Sequence, residues 1–439
     1  MPDPRTHAHY RPRILFWSIV GYAIFYFVRK NLPVAMPAME AQLHIGKAQL
    51  GMFLTLHGLL YGVSKFANGI LGDRFNARWF MAIGLIGSAA LNLGFGLSST
   101  VIWLGIFWMA NGWVQGMGFP PCARLLTHWF TPKELATKMA IWNTSHGIGT
   151  AAVLILCGFL IGHFHDWRLC FFVPAAIAIA TAGLLMIYLR DTPTSVGLTE
   201  LVETGDGRGH GFEVVSVSVS AGKDSPDVQP SVREMLVKYV FSNRYIWLFA
   251  IANFFVYTIR YAVLDWGPTM LKQTKGITLT NAAWMTAGFE IAGVVGALCA
   301  GWLTDRFFGG RPARMSLVFM ILCSGSILGF WKVPPGHMLA STLMLAATGF
   351  FVYGPQALVG IAVANLATKR AAASAVGFTG IFGYASTTLS GWGLGALVER
   401  YNWNYGFVAL LIAAAAATVL FLLALPAPRD GYGTQATIS

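Results

Sequence analysis

Apolar stretches of about 20 residues recur along the chain from Ile14 to Leu425, with centres near positions 25, 60, 89, 114, 151, 179, 258, 293, 322, 351, 384 and 414. Each is long enough to cross a hydrocarbon core of about 30 Å. A backbone in lipid must satisfy its own hydrogen bonds, which leaves helices or a closed barrel, and these runs lack the two-residue alternation of barrel strands. The pattern predicts an all-α membrane protein with twelve transmembrane helices. Between 191 and 243 the pattern fails, and the chain turns polar and rich in Gly and Ser, as in Thr204-Gly205-Asp206-Gly207-Arg208-Gly209. This stretch reads as a linker, with 232–240 as a candidate interfacial helix. It divides the chain into an N-terminal six-helix bundle over 1–190, a cytoplasmic linker over 191–243, and a C-terminal six-helix bundle with a cytoplasmic tail over 244–439.

Composition agrees with a lipid environment. Of 439 residues 56% are hydrophobic and only 11% charged, against about a quarter charged in ordinary soluble domains; the mean hydropathy is +0.60. A formal net charge of +12 would suggest nucleic acid in a soluble protein, but here the charge is sorted by topology. With the N-terminus in the cytoplasm, roughly nineteen Lys and Arg fall on the inner side, including Arg11, Arg13, Lys133, Lys138 and Arg190, against about six outside. The positive-inside bias places both termini in the cytoplasm and removes the case for a nucleic-acid partner. The five cysteines lie in or beside apolar segments without paired spacing, so neither a disulfide framework nor a metal site is expected, and no cofactor. The first apolar run is too long, and too basic at Arg29 and Lys30, for a cleaved signal peptide.

The two halves repeat each other. Tyr26, Arg29 and Pro37 match Tyr257, Arg260 and Pro268, each 231 positions later, and Gly69, Asp73 and Arg74 return as Gly301, Asp305 and Arg306, each 232 later. Two motifs in one register argue for a duplicated six-helix unit, with both copies of Gly-x-x-x-Asp-Arg closing the second helix of a half. These helix-end charges read as cytoplasmic latches between neighbouring helices rather than as ligand contacts.

Charges inside the membrane are costly, at about 2.5 to more than 10 kcal/mol each, so each one demands a role. Arg29 is expected about 15 residues into the first helix, roughly 22 Å along it, and Arg260 at nearly the same depth in the seventh. Pseudo-twofold symmetry then brings the two to opposite walls of one central cavity. Arginine does not shed its proton, which excludes proton carriage and leaves anion binding. At about 10 Å and an effective dielectric near 20, two such charges repel by roughly 1.7 kcal/mol. A bridging phosphate dianion would convert that repulsion into two charge-assisted contacts, each worth about 1.5 to 3 kcal/mol net. Setting Arg29, Lys30, Lys65 and Arg260 against Asp265 and Glu290 leaves about two excess positive charges, which suits a divalent anion. The competing reading is a structural network in which the arginines pair with these acids.

Helical spacing supplies the surroundings. Tyr22, Tyr26 and Arg29 fall at i, i+4 and i+7, and Asn253, Tyr257 and Arg260 repeat that spacing, predicting one polar stripe toward the cavity from each half. His57, Tyr61 and Lys65 share a face of the second helix, and Asn143 with His146 makes a pair on the fifth; protonation of His146 would tune affinity. His57 is balanced between lining and packing. Tyr26, Tyr257, Tyr353 and Tyr384 lie too deep for an interfacial belt and read as cavity lining.

Several strings are more specific: Tyr26-Phe27-Val28-Arg29-Lys30-Asn31, Tyr61-Gly62-Val63-Ser64-Lys65-Phe66, Gln115-Gly116-Met117-Gly118-Phe119-Pro120-Pro121-Cys122, Trp142-Asn143-Thr144-Ser145-His146 and Arg260-Tyr261-Ala262-Val263-Leu264-Asp265-Trp266. On these the chain resembles, over essentially its whole length, the organophosphate:phosphate antiporter family of the major facilitator superfamily. The resemblance implies two pseudo-symmetric bundles in a bacterial inner membrane, a working monomer, and exchange of an organic phosphate for inorganic phosphate. It implies that Arg29 and Arg260 bind phosphate, that Lys65 and His146 assist, and that Tyr22, Tyr26, Tyr61, Asn143, Tyr257, Tyr353 and Tyr384 shape the cavity. It also implies that Lys30, Asp265 and Glu290 form salt bridges that rearrange during alternating access. Between glycerol 3-phosphate and a hexose 6-phosphate the choice stays open. A membrane receptor for hexose phosphate is the alternative, since the stretches 61–78 and 122–127 are similar to the sensor of that family. Proton-coupled drug export disagrees with the cationic surplus, and no nucleophile–base pair suggests an enzyme.

Overall fold

The computed structural model describes residues 6–72, 75–199 and 237–428, and its regular elements are all helical. The first half runs α1 (His7–Phe27), α2 (Leu32–Leu43), α3 (Lys47–Gly72), α4 (Ala77–Leu97), α5 (Val101–Gln115), α6 (Phe119–Trp129), α7 (Pro132–Phe164) and α8 (Leu169–Tyr188). The second half runs α9 (Arg244–Lys275), α10 (Leu279–Phe308), α11 (Pro312–Lys332), α12 (Met338–Leu366), α13 (Thr368–Ala385), a π-helical turn Thr388–Gly393, α14 (Leu394–Arg400) and α15 (Trp403–Leu423). Three crossings are broken: α1 with α2, α5 with α6, and α13 with the π turn and α14. Each half therefore crosses six times. Among the described residues eight helices are long and apolar enough to cross a membrane unaided; the remaining crossings are the three broken ones and α3, which carries His57, Lys65 and Asn68. Of the expected interfacial helix, only a single π turn at Val237–Phe241 falls within the described residues.

The breaks have local causes. Pro33, at the second position of α2, has no N–H to give the preceding turn and favours a helix start there. The turn that results, 28–31, is buried, so its polar groups need partners. The Val28 carbonyl accepts from Asn92 Nδ2 at 2.9 Å and from Asn111 Nδ2 at 2.8 Å. Asn31 Nδ2 donates to Asn92 Oδ1 and to the Cys170 carbonyl, each at 2.8 Å. Helices α4, α5 and α8 thus hold the irregular turn through amide side chains. At the second break α5 ends at Gly116–Gly118, and Pro120 and Pro121 open α6. A Cβ on Gly116 would lie 2.2 Å from Ser64 Oγ, so only glycine lets α5 come this close to α3.

The halves meet along α3 with α13, the π turn and α14, along α7 with α10, and along α2 with α9. Hydrogen bonds across this seam gather on the face remote from the linker. Thr55 Oγ1 donates to the Thr387 carbonyl at 2.7 Å, the Ala48 amide to Glu399 Oε2 at 2.6 Å, Thr280 Oγ1 to the Gly158 carbonyl at 2.9 Å, and Gln273 Nε2 to Glu40 Oε2 at 3.3 Å. The remote face is closed.

Candidate functional site

Arg29 sits in the turn after α1 rather than on the helix that its spacing suggests. The helix ends at Phe27, so the expected stripe Tyr22–Tyr26–Arg29 is interrupted before its last member. In the other half the expected stripe stays on one helix, because α9 runs unbroken through Tyr257 and Arg260. Asn253 nevertheless spends its amide on the Thr379 carbonyl at 3.0 Å, tying α9 to α13.

Both arginines are buried, Arg29 to 8% and Arg260 to 6% exposure. The Arg29 guanidinium lies 3.7 Å from the centre of the Tyr61 ring and 5.3 Å from that of Tyr26. Among the described residues no carboxylate forms an ion pair with it. Arg260 is differently placed: Nη1 donates to Gln356 Oε1 at 3.0 Å, Nη2 stands 3.5 Å from Glu290 Oε1, and the guanidinium lies 4.3 Å over the Tyr353 ring. The two arginines are therefore unequal. Lys30 Nζ donates to Asp265 Oδ1 at 2.6 Å, which pins the α1–α2 turn to α9 across the seam. Glu290, fully buried, pairs with Arg260 and not with Lys30. Lys65 Nζ lies over Phe119 at 4.3 Å and 6.0 Å from the Tyr384 ring centre. Two of the four cations are thus paired with acids, while Arg29 and Lys65 meet aromatic faces, which offset desolvation by about 0.5–2 kcal/mol each. Four positive against two negative side chains leave a surplus of two.

The tyrosines divide. Tyr61 and Tyr384 meet across the seam with ring centres 5.3 Å apart, and Tyr257 touches Tyr261 at 5.4 Å. Tyr26 stands 6.0 Å from His146. Tyr353 packs edge-on to Phe289 at 6.0 Å, and its hydroxyl is buried without a hydrogen-bond partner. Tyr22 instead turns into the first half, 4.6 Å from Trp142 and 6.4 Å from Phe119, where it supports Tyr26 at 5.5 Å. His146 Nδ1 donates to the Asn143 carbonyl, which leaves Nε2 as the acceptor of the neutral ring. Asn143 itself is exposed, one turn nearer the linker side.

Of the helix-end motifs, Asp73 and Arg74 lie outside the described residues, Gly69 and Gly301 sit within α3 and α10, and Asp305 and Arg306 are exposed at the end of α10. Residues not singled out from sequence also reach the centre. Tyr261 lies under Lys30 at 5.1 Å and beside Arg260 at 5.8 Å; its place four residues after Tyr257 was the available signal. Gln356, Asn92 and Asn111 are amides inside apolar helices, and their cost in lipid is what should have drawn notice. A cavity borders Arg29, Lys30, His57, Trp108, Tyr261 and Asp265.

The chain matches the family model described as Major Facilitator Superfamily over residues 18–391, with a second match over 271–438. It is 39% identical over 419 residues to a probable hexose phosphate transport protein of Chlamydia pneumoniae, covering 95% of this chain and 92% of that protein. It is 37% identical to the glycerol-3-phosphate transporter of Bacillus subtilis (strain 168), with 96% and 94% covered. Identity is also 37% to the membrane sensor protein UhpC of Salmonella typhimurium (strain LT2), with 97% and 94% covered. Among solved structures, a bacterial homologue of the human lysosomal transporter Spinster, inward-facing and unoccupied, superposes with a TM-score of 0.72 at 18% identity, covering 95% of each chain. A family model and relatives at 37–39% identity match over nearly the whole length, so the chain belongs to the major facilitator superfamily and, within it, to the organophosphate:phosphate antiporter family.

Proposed function

We propose that this protein is a secondary active antiporter that exchanges a small organic phosphate, glycerol 3-phosphate or a hexose 6-phosphate, for inorganic phosphate by rocker-switch alternating access. The observation that carries the reading is a buried centre with two surplus positive charges, to which the paired halves each contribute an arginine. A phosphoryl group meets Arg29 first, because among the described residues that fork has no carboxylate to displace. Contact with Arg260 then competes with Glu290, and each charge-assisted contact contributes about 1.5–3 kcal/mol. Lys30–Asp265 spans the seam, and separating a buried pair without compensation leaves two charges unpaired, which is costly. Phosphate supplies compensation that the empty carrier lacks, so the loaded form rocks and the empty form does not. Hexose phosphate and glycerol-3-phosphate transport in the named relatives supports the substrate class. Arg29, Arg260, Lys65 and His146 are assigned to the phosphoryl group, and Tyr26, Tyr61, Tyr257, Tyr353, Tyr384 and Asn143 to the wall, with Tyr22 behind Tyr26. The carrier works as a monomer in a bacterial inner membrane, with both termini and the linker in the cytoplasm, so that the closed remote face is periplasmic.

Vesicles preloaded with phosphate test this directly. Labelled glycerol 3-phosphate or glucose 6-phosphate enters only when phosphate is inside; equal entry into empty vesicles would defeat obligatory exchange. The similarity to a membrane sensor favours a second reading, a receptor for hexose phosphate, for which saturable binding without flux is the expected result.

A further inference from the structure

The cavity beside Arg29 does not extend to Arg260. It lies between the arginine and the closed seam, bordered by Leu54 and Gly58 of α3, Thr387 and Tyr384 of the second half, and the His57–Trp108 pair. These last two rings stack at 4.9 Å, and His57 Nδ1 stands 3.0 Å from the Trp108 carbonyl. A carbonyl only accepts, so Nδ1 carries the proton and Nε2 offers a lone pair. His57 is 6% exposed and Trp108 1%. His57 Nε2 and Trp108 Nε1 are both buried without a hydrogen-bond partner. Buried polar groups are ordinarily paired, so two unmet ones on residues that line a cavity point to a ligand.

We infer that this cavity is the pocket for the organic half of the substrate, and that His57 Nε2 and Trp108 Nε1 select hydroxyl groups on it; the inference rests on the exchange reading above. The chemistry of the wall chooses the class. One lone pair and one N–H match a hydroxyl, which both donates and accepts. A second anionic group would face the Nε2 lone pair and the Asp265 carboxylate, with Lys30 already committed to Asp265. Inorganic phosphate carries nothing beyond its phosphoryl group to extend from the arginines to this pair, whereas a phosphorylated polyol carries hydroxyl groups that do. His57 and Trp108 are thus specificity residues, and the polyol points toward the seam while the phosphoryl group lies toward Arg260.

The experiment measures exchange in proteoliposomes for wild type, Trp108→Phe and His57→Phe, with thermal unfolding in detergent as the check on folding. The readout is the half-saturating concentration of glucose 6-phosphate, glycerol 3-phosphate and n-propyl phosphate, each divided by that of inorganic phosphate. Each variant raises the ratio for the two polyol phosphates by roughly 3- to 10-fold and leaves that of propyl phosphate, which has no hydroxyl, in place. Ratios that stay fixed in folded variants, or that move equally for propyl phosphate, overturn the pocket. If wild type exchanges nothing, the antiport reading fails by itself. The same panel is then scored as displacement of labelled glucose 6-phosphate from purified protein, where the variants must weaken the polyol phosphates selectively. Wild-type protein that binds none of them removes both ideas.

Discussion

At the scale of single residues, the inequality of the two arginines matters most. Arg29 rests on aromatic faces, while Arg260 is already engaged by Glu290 and Gln356. Lysine in place of either arginine keeps the charge but loses the planar fork that grips two oxygens at once. Arg29→Lys and Arg260→Lys should each reduce phosphate exchange at least about tenfold, the loss of one strong charge-assisted contact; full activity in both would remove the arginines from the mechanism. Glu290→Gln acts in the opposite direction on binding. Phosphate no longer competes with a carboxylate for Arg260, so its affinity for purified protein should rise, while the unliganded protein loses stability because a buried guanidinium has lost its counter-charge. Weaker phosphate binding in Glu290→Gln would place that carboxylate on the ligand's side of the balance instead. The charges themselves were legible in the sequence, because each one is expensive in lipid. Which acid pairs with which base was not, since Lys30, Arg260, Asp265 and Glu290 allow more than one matching and only the packing of α9 on α10 and α2 decides it.

Among elements, the broken first crossing carries the most consequence. Twelve apolar runs could be read along the chain because length and apolarity suffice for that. The run around Arg29 was read as one continuous helix, yet it breaks at 28–31 and puts the arginine on a turn. Pro33 marks the break, but a proline near a helix start and one inside a helix leave similar marks in sequence, and Pro268 sits inside α9 without breaking it. What separates the two cases is distant in sequence: Asn92 and Asn111 both donate to the carbonyl that the break frees. Asn92 also holds Asn31 and the Ser88 carbonyl, whereas the Asn111 amide donates to Val28 alone. Asn92→Leu should therefore destabilise the protein by about 1–3 kcal/mol, and more than Asn111→Leu, because each leaves Val28 one donor but only Asn92→Leu also removes the acceptor of Asn31. Thermal unfolding of the two variants in the same detergent ranks them; the reverse order would show that the turn does not depend on this network. Because the turn carries Arg29 and Lys30, both variants should also lose exchange beyond what their reduced amount of folded protein explains.

For the whole molecule, function depends on two bundles that can part on either face, and this structure is closed on the face remote from the linker. Closure there is a matter of backbone approach as much as of charge. Along α3, Gly51 lies against the π turn of the opposite half so closely that a Cβ would stand 2.4 Å from the Gly391 carbonyl oxygen. Backbone atoms on both sides leave no flexible side chain to yield, and packed interfaces of this kind switch between discrete arrangements rather than deform. Thr55, one turn on, bonds both the Thr387 carbonyl and the Trp392 amide, so the same contact registers the two bundles. Gly51→Val should leave each bundle folded but prevent the remote face from closing, which shifts the population toward the state open on that side. A cysteine at Thr387, buried in the seam at 6% exposure, reports the shift in a background without the five native cysteines: a water-soluble maleimide should label it several-fold faster when Gly51→Val is present. Exchange should fall in the same protein, since a carrier held open on one side cannot complete its cycle. Unaltered labelling together with unaltered exchange would mean that the remote face does not close through this contact, and the rocker motion would have to pivot elsewhere along α7 and α10.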